Sequence, residues 1–353
     1  MKIILAIDSF KGCLTSMQAE LAAEQGIVSK YPDTEVIKIP VTDGGDGMLD
    51  VFCSLFDCER ITVPCHDALM RRIDASFAVR KDGLCILETA QACGIHLLKT
   101  DELNPLHATT YGVGELMTAA IKHGCSNFLV GLGGSATSDC GLGMLKAFRN
   151  EYGEDWIQHP ALNINVTLAS DVKNPLYGTN GAAAVFGPQK GACATDIECL
   201  DRRAMTFARM SAAKMGFDQS GTEGAGAAGG LGYAFLQFLN ARMESGADIL
   251  LREAKFRELL HDADSVITGE GSADKQTLMG KIPQKVLETA RQASIPVHLI
   301  AGKISEADVL LNAGFASATC INASDLPLEQ ALNADVAAKN IASTVQKIIA
   351  DCQ

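Results

Sequence analysis

Phe128-Leu129-Val130-Gly131-Leu132-Gly133-Gly134-Ser135-Ala136-Thr137-Ser138-Asp139-Cys140-Gly141, continued by Leu142-Gly143-Met144, decides how this chain is read. An apolar run, then glycines interrupted by Ser, Thr and Asp, then a helix-like segment, describe a strand, a tight turn and a helix start. Such a turn points backbone N–H groups and hydroxyls at an anion, most often a phosphate. A plain turn that needs φ > 0 at several positions has the same composition. The weight therefore falls on the other clusters of glycine, lysine and aspartate along the chain.

Toward the N-terminus, Met1-Lys2-Ile3-Ile4-Leu5-Ala6-Ile7 reads as a buried strand that delivers Asp8-Ser9-Phe10-Lys11-Gly12. Thr15-Ser16-Met17-Gln18 is a capping box before a helix whose apolar stripe is expected to include Met17, Leu21 and Val28. A second strand, Val36-Ile37-Lys38-Ile39, runs through Pro40 into Thr42-Asp43-Gly44-Gly45-Asp46-Gly47. Both loops occupy the carboxyl ends of strands, where open α/β sheets place their ligands. From about Cys65 the pattern turns antiparallel: Arg72 to Val79 alternates, Lys81-Asp82-Gly83 signals a hairpin, and Leu84-Cys85-Ile86-Leu87 returns. A helix with Val113, Leu116, Met117, Ala120 and Ile121 at helical spacing leads into the opening stretch.

Toward the C-terminus, Val166-Thr167-Leu168-Ala169 delivers Ser170-Asp171-Val172-Lys173-Asn174-Pro175. Phe186-Gly187-Pro188-Gln189-Lys190-Gly191-Ala192 follows, then a long helix from about Thr195 to Met215, then a second glycine-rich turn from Gly221 to Gly232 that opens another helix. The βα rhythm returns with the strand Ala263 to Thr268, which runs into the loop Gly269-Glu270-Gly271-Ser272-Ala273-Asp274-Lys275-Gln276-Thr277 and on to Gly280-Lys281, with Pro283 in the next helix's first turn. Pro296 to Ile300 and Ala318 to Ile321 supply two more strands, and a final helix carries Ala337, Ile341, Val345 and Ile348 on one face. Two βα-type strands at the start and three at the end imply one α/β domain with a doubly wound parallel sheet, built from residues 1–64 and 247–353 and interrupted by a large inserted mixed α/β domain over 65–246.

A chain of 353 residues accommodates two such domains. Its formal charge is −12, from 30 Lys and Arg against 42 Asp and Glu, with no basic block dense enough to follow a phosphate backbone; nucleic acid is not an expected partner. Asp8 ends the apolar start far short of a secretory core or a membrane span, so a soluble, cytoplasmic protein with no membrane partner is expected. The 12 cysteines include no C-x-x-C pair and read as reduced, apolar packing residues. The 7 histidines show neither H-x-x-x-H nor H-E-x-x-H spacing.

Phosphoryl transfer requires N–H donors and cations around the phosphates, carboxylates to hold Mg²⁺, and a base beside the accepting hydroxyl. The chain offers each after a strand: the two glycine turns, the lysines Lys11, Lys190 and Lys281, and the carboxylates Asp8, Asp43, Asp46, Asp171, Glu270 and Asp274. Plainer readings stand beside these. Asp43 and Asp46 suit Asx-turns, Asp171 suits a strand-ending turn, and Gly224 to Gly232 suits close helix packing. No G-x-x-x-x-G-K-[ST] segment is present, nor does the first βα turn hold G-x-G-x-x-G.

With these residues assembled, the chain resembles the type I glycerate kinase family. The motifs that carry the resemblance are Asp8 to Gly12, Pro40 to Gly47, Asn104-Pro105-Leu106 with Thr109-Thr110-Tyr111-Gly112, Gly133 to Thr137, Asp171 with Asn174-Pro175-Leu176, Phe186 to Ala192, Gly224 to Gly232, and Thr268-Gly269-Glu270-Gly271 with Asp274, Gln276-Thr277 and Gly280-Lys281. They fall in order over nearly the whole chain. The resemblance implies ATP-dependent phosphorylation of D-glycerate to 2-phosphoglycerate, favoured here over 3-phosphoglycerate, with Mg²⁺. It also implies a flavodoxin-like domain, discontinuous in sequence, with an inserted domain and the active site in the cleft between them. Leu103 and Ser272-Ala273 stand where the family usually carries arginines, which bears on substrate choice because glycerate and ATP are both anions.

On this reading Asp171 is the first choice for the base and Asp43 the second, and Lys11 or Lys281 neutralises the transferred phosphoryl group. Asp8, Ser9, Lys11 and Asn174 bind the substrate; Gly133, Gly134, Ser135, Thr137, Gly226, Gly229, Gly230 and Lys281 bind the nucleotide; Asp46 and Asp274 hold Mg²⁺. A monomer or homodimer is expected. The alternatives are a kinase for another small hydroxy acid, and a non-catalytic sensor of organic acids or nucleotides.

Overall fold

The computed structural model describes residues 1–10, 12–42, 44–45 and 47–351; the candidates Lys11, Asp43 and Asp46 lie outside the described residues. Its strands are β1 (Lys2–Ile7), β2 (Glu35–Lys38), β3 (Cys58–His66), β4 (Arg72–Arg80), β5 (Leu84–Glu88), β6 (Asn127–Gly131), β7 (Asn165–Ala169), β8 (Arg242–Glu244), β9 (Ser265–Ala273), β10 (Val297–Ile304) and β11 (Ser317–Cys320). The chain folds into two compact units, one formed by Met1–Asp43 with Ala247–Gln353 and the other by Gly44–Gly246.

The first unit holds a five-stranded sheet in the order β11-β10-β9-β1-β2, every pairing parallel. Counted by its own strands, that is the flavodoxin-like order of a doubly wound sheet. Ile3, Leu5 and Ile7 pack on one face with Ala19, Ala23, Ile27, Ile341 and Val345 from helices Ser16–Lys30 and Ala334–Asp351. Ile4, Ala6, Val266 and Leu299 are buried outside that cluster, as period-two strands covered on both faces require.

The first helix turns a different side inward from the one its large residues mark. Met17, Leu21 and Val28 are 41, 47 and 40 % exposed, while Ala19, Ala22, Ala23, Gly26 and Ile27 are buried. Small residues face inward because helix Ala334–Asp351 crosses at close range: a Cβ on Gly26 would stand 2.5 Å from Ala342 O. A further difference is that β9 does not end at Thr268. It continues to Ala273, paired to Ile304 of β10, so Glu270 sits on a strand and not in a loop.

The second unit holds a six-stranded sheet in the order β3-β4-β5-β6-β7-β8, antiparallel through β3-β4-β5 and parallel from β5 to β8. The Lys81-Asp82-Gly83 hairpin joins β4 to β5 as the sequence predicts, with Gly83 N donating to Arg80 O. Helix Met48–Leu55 and strand β3 belong to this unit, so it opens at residue 44, not 65. β3 pairs with β4 along its whole length as an edge strand with Pro64 inside it, turning Ile61, Val63 and Cys65 to the core and leaving Arg60, Thr62 and Pro64 exposed. Cys85, Leu87, Phe128, Val130, Val166 and Leu168 point into one core with Leu116, Met117, Phe148 and Phe235, while Ile86 and Leu129 are buried on the opposite face.

Candidate functional site

Four parallel strands of the second unit end on one edge of its sheet, so their carboxyl ends gather the polar groups that follow. β5 ends at Glu88, β6 enters the 131–141 turn, β7 delivers Ser170 and Asp171, and β8 ends at Glu244, whose carbonyl accepts Ser170 N at 3.1 Å. Gly44 and Gly47 join them. Gly133 N donates to Gly44 O at 3.1 Å, and the buried Glu88 carboxylate accepts from Gly47 N at 3.0 Å and Leu49 N at 3.2 Å. Glu88 thus occupies the positive N-terminal end of helix Met48–Leu55, whose cap position, Gly47, offers no side chain.

The glycine turn is fixed from below. Lys190, only 2 % exposed, donates through Nζ to Ser135 Oγ at 3.0 Å and to Thr137 O at 2.7 Å. Burial drives its pKa down to about 8, against the pull of Cys93 and Asp139 nearby. Burial also pushes the Cys93 thiol up to about 12. The Ser138 hydroxyl is buried and carries no hydrogen bond.

Asp139 ties the turn to the Thr109-Thr110 segment. Its carboxylate accepts from Thr110 N at 2.9 Å, Thr110 Oγ1 at 3.0 Å, Gly141 N at 3.0 Å and Gly143 N at 3.0 Å. Charge-assisted bonds of this kind are the strong class. They fill the first turn of helix Leu142–Tyr152, which has no side-chain cap of its own.

The second glycine run packs straight onto the first. Ala228, Gly229 and Gly230 are three successive left-handed residues at φ 51, 66 and 87°, and Cys140 N donates to Gly229 O at 3.1 Å. Gly226, Gly229 and Gly230 are all buried; Gly226 N donates to Asn174 O and Gly230 N to Gly226 O. The close-packing reading therefore describes Gly226 and Gly230, whose N–H groups are committed inside the fold. Asn174 supports the same turn, and its side-chain amide donates to Asn180 O at 2.8 Å.

In the first unit, Asp8 and Ser9 follow β1 half-buried, with Ser9 N donating to Asp8 Oδ1 at 2.7 Å. Glu270 is buried and accepts from Thr277 Oγ1 at 2.6 Å and Lys281 Nζ at 2.9 Å. Asp274 begins the short 275–278 helix, accepting Gln276 N at 2.7 Å. Among the described residues no group of three or more His, Cys, Asp or Glu side chains is placed to hold a metal ion, and no helix is long and apolar enough to cross a membrane.

The structure thus brings Gly133, Gly134, Ser135, Thr137, Asp171 and Asn174 to one sheet edge, and places Asp8, Ser9, Asp274 and Lys281 in the other unit. The sequence offers Lys190 beside Lys11 and Lys281 as a lysine for phosphate but gives it no place among the site residues, and it passes over Asp139 and Glu88. Asp139 carried a signal, an Asp just before a helix start; Glu88, an acid closing an apolar strand, carried none that separates it from a solvated residue.

The glycerate kinase family model matches residues 3–155 and 154–353. A protein named glycerate kinase from Bacillus subtilis strain 168 is 38 % identical over 354 residues, covering 94 % of this chain and 93 % of that one. One named glycerate 2-kinase from Escherichia coli K12 is 35 % identical over 328 residues, covering 87 and 86 %. A solved structure from Salmonella typhimurium LT2, provisionally assigned as glycerate kinase 2, superposes with a TM-score of 0.81 at 33 % identity, covering 99 % of this chain and 98 % of that one.

Proposed function

This chain belongs to the glycerate kinase family, and on that premise we propose that it transfers the terminal phosphoryl group of ATP to D-glycerate, at the 2-hydroxyl in preference to the 3-hydroxyl. The observation that carries the reading is a hydroxyl-bearing glycine turn at the carboxyl edge of four parallel strands with a buried ammonium beneath it. Such a turn suits an anion with several oxygens. The preference for the 2-hydroxyl rests on the relative named glycerate 2-kinase.

In the proposed step a carboxylate takes the proton from the glycerate hydroxyl, that oxygen forms the new bond to phosphorus, and the bond to ADP breaks. Asp171 is assigned as the base, with Asp43 in second place. Asp8, Ser9 and Lys11 hold the glycerate carboxylate. Gly134, Ser135 and Thr137 face phosphate, and Lys11 or Lys281 offsets the charge that develops on it. Asp274 and Asp46 would hold Mg²⁺ together with the substrate phosphates, and the ion would supply positive charge to the transferring group.

Steady-state kinetics on Asp171→Asn and Lys11→Ala test the roles. A kcat within about tenfold of wild type, roughly 1.4 kcal/mol of barrier, removes the altered residue from the mechanism. Product analysis of the wild-type reaction with D-glycerate tests the substrate and position together. Accumulation of 3-phosphoglycerate overturns the regiochemistry, and a higher kcat/KM for another hydroxy acid overturns the substrate.

A further inference from the structure

A buried lysine is costly, because removing an ammonium from water is repaid only by close partners. The partners of Lys190 are neutral: a serine hydroxyl and a main-chain carbonyl. Well-packed apolar residues often replace buried charges without loss of stability, so packing alone does not call for an ammonium here. What the ammonium changes is the state of its acceptors.

An ammonium has donors and no lone pair, so in the Lys190–Ser135 bond Ser135 Oγ is the acceptor. The serine proton is then left to point at something else, and the nearby cation strengthens it as a donor. The second bond draws the Thr137 carbonyl inward. We propose that Lys190 is a positioning residue that acts through Ser135: it locks the Ser135 hydroxyl as a polarised donor toward a phosphate oxygen of the bound nucleotide and holds the 135–137 backbone to match. This rests on the reading that the glycine turn receives phosphate. Cys93 and Asp139 are the titratable groups that bear on the Lys190 ammonium.

The test is a double-mutant cycle on KM for MgATP and on ADP affinity by calorimetry, using Ser135→Ala, Lys190→Met and the pair. One charge-assisted hydrogen bond corresponds to about ten- to hundredfold in affinity. Each single variant is expected to lose that much, with kcat changed less than KM, and the pair is expected to lose no more than either alone. Losses that multiply, or a loss in Ser135→Ala without one in Lys190→Met, overturn the role of Lys190 while leaving the phosphate turn standing. Full affinity in Ser135→Ala overturns both.

A second measurement needs no substitution of Lys190. With a pKa near 8, its proton is lost across an accessible range, so wild-type KM for MgATP is expected to rise between about pH 7 and 9, and the rise is expected to vanish in Ser135→Ala. The same rise in both proteins, or none in either, overturns the proposal.

Discussion

Gly229 lies with its Cα against the backbone of Thr137: a Cβ there would stand 1.9 Å from the Thr137 carbonyl oxygen. That oxygen also accepts from Lys190 Nζ at 2.7 Å. The two glycine-rich runs are therefore a single packed unit with the lysine as its anchor.

Gly229→Ala tests this contact. Its φ of +66° costs an L-residue about 1–2 kcal/mol, and the clash with backbone that cannot step aside adds about 1–3 kcal/mol. A fall in unfolding free energy of roughly 2–5 kcal/mol is expected by urea titration. A variant with wild-type stability would show that the runs do not touch in solution.

Gly26→Ala sets two effects against each other. Helix propensity favours alanine by about 1 kcal/mol in a helix interior. The new methyl would meet Ala342 O at 2.5 Å and Ala342 Cα at 2.6 Å, and overpacking of this kind costs about 1–3 kcal/mol. The clash prevails, because both atoms are main chain, and a lower urea midpoint is expected; a gain in stability refutes the close crossing.

Glu20 makes stability depend on pH. It is fully buried, its Oε1 accepts Ile7 N at 3.1 Å, and its Oε2 carries no hydrogen bond. Burial holds its pKa well above the ordinary carboxylate value, against the opposing pull of the Ile7 N–H and Lys38. The folded state then keeps a proton that the unfolded chain releases near pH ~4.3, so from there up to the folded pKa stability falls as pH rises. Glu20→Gln removes this term. Its urea midpoint is expected to exceed that of wild type at pH 7 and to converge on it toward pH 4; a constant difference across the range sinks the assignment.

Met17, Leu21 and Val28 make the opposite case. Being 41, 47 and 40 % exposed, they are expected to tolerate Met17→Gln, Leu21→Gln and Val28→Thr within about 0.5 kcal/mol each. A loss of 2 kcal/mol or more, read by thermal unfolding, would place that stripe in a packed interface.

The contrast between Gly26 and Leu21 explains what was legible in the sequence. Strands announce themselves by length and apolarity, so β1, β6, β7 and β10 stand close to where periodicity places them. The long helices Tyr111–Lys122 and Ala194–Met215 do so as well. The rule that large apolar residues face inward fails on the first helix, where a close crossing demands small ones. The site shows the same division. The glycine turn was visible because its residue types are unusual. The burial of Lys190 was not, because it depends on segments some fifty residues apart in the chain.

The central position of β1, paired on one side to β2 and on the other to β9, has a consequence for synthesis. The register Ile3↔Ser265 joins β1 to residues made roughly 10–50 s later at ordinary elongation rates. In that interval every residue of the 44–246 unit is translated, while the β1 edge that pairs with β9 stays open. The whole 44–246 unit is thus available to fold before β1 can pair with β9, and until then the edge of Ile3-Ile4-Leu5-Ala6-Ile7 that faces β9 stays unpaired.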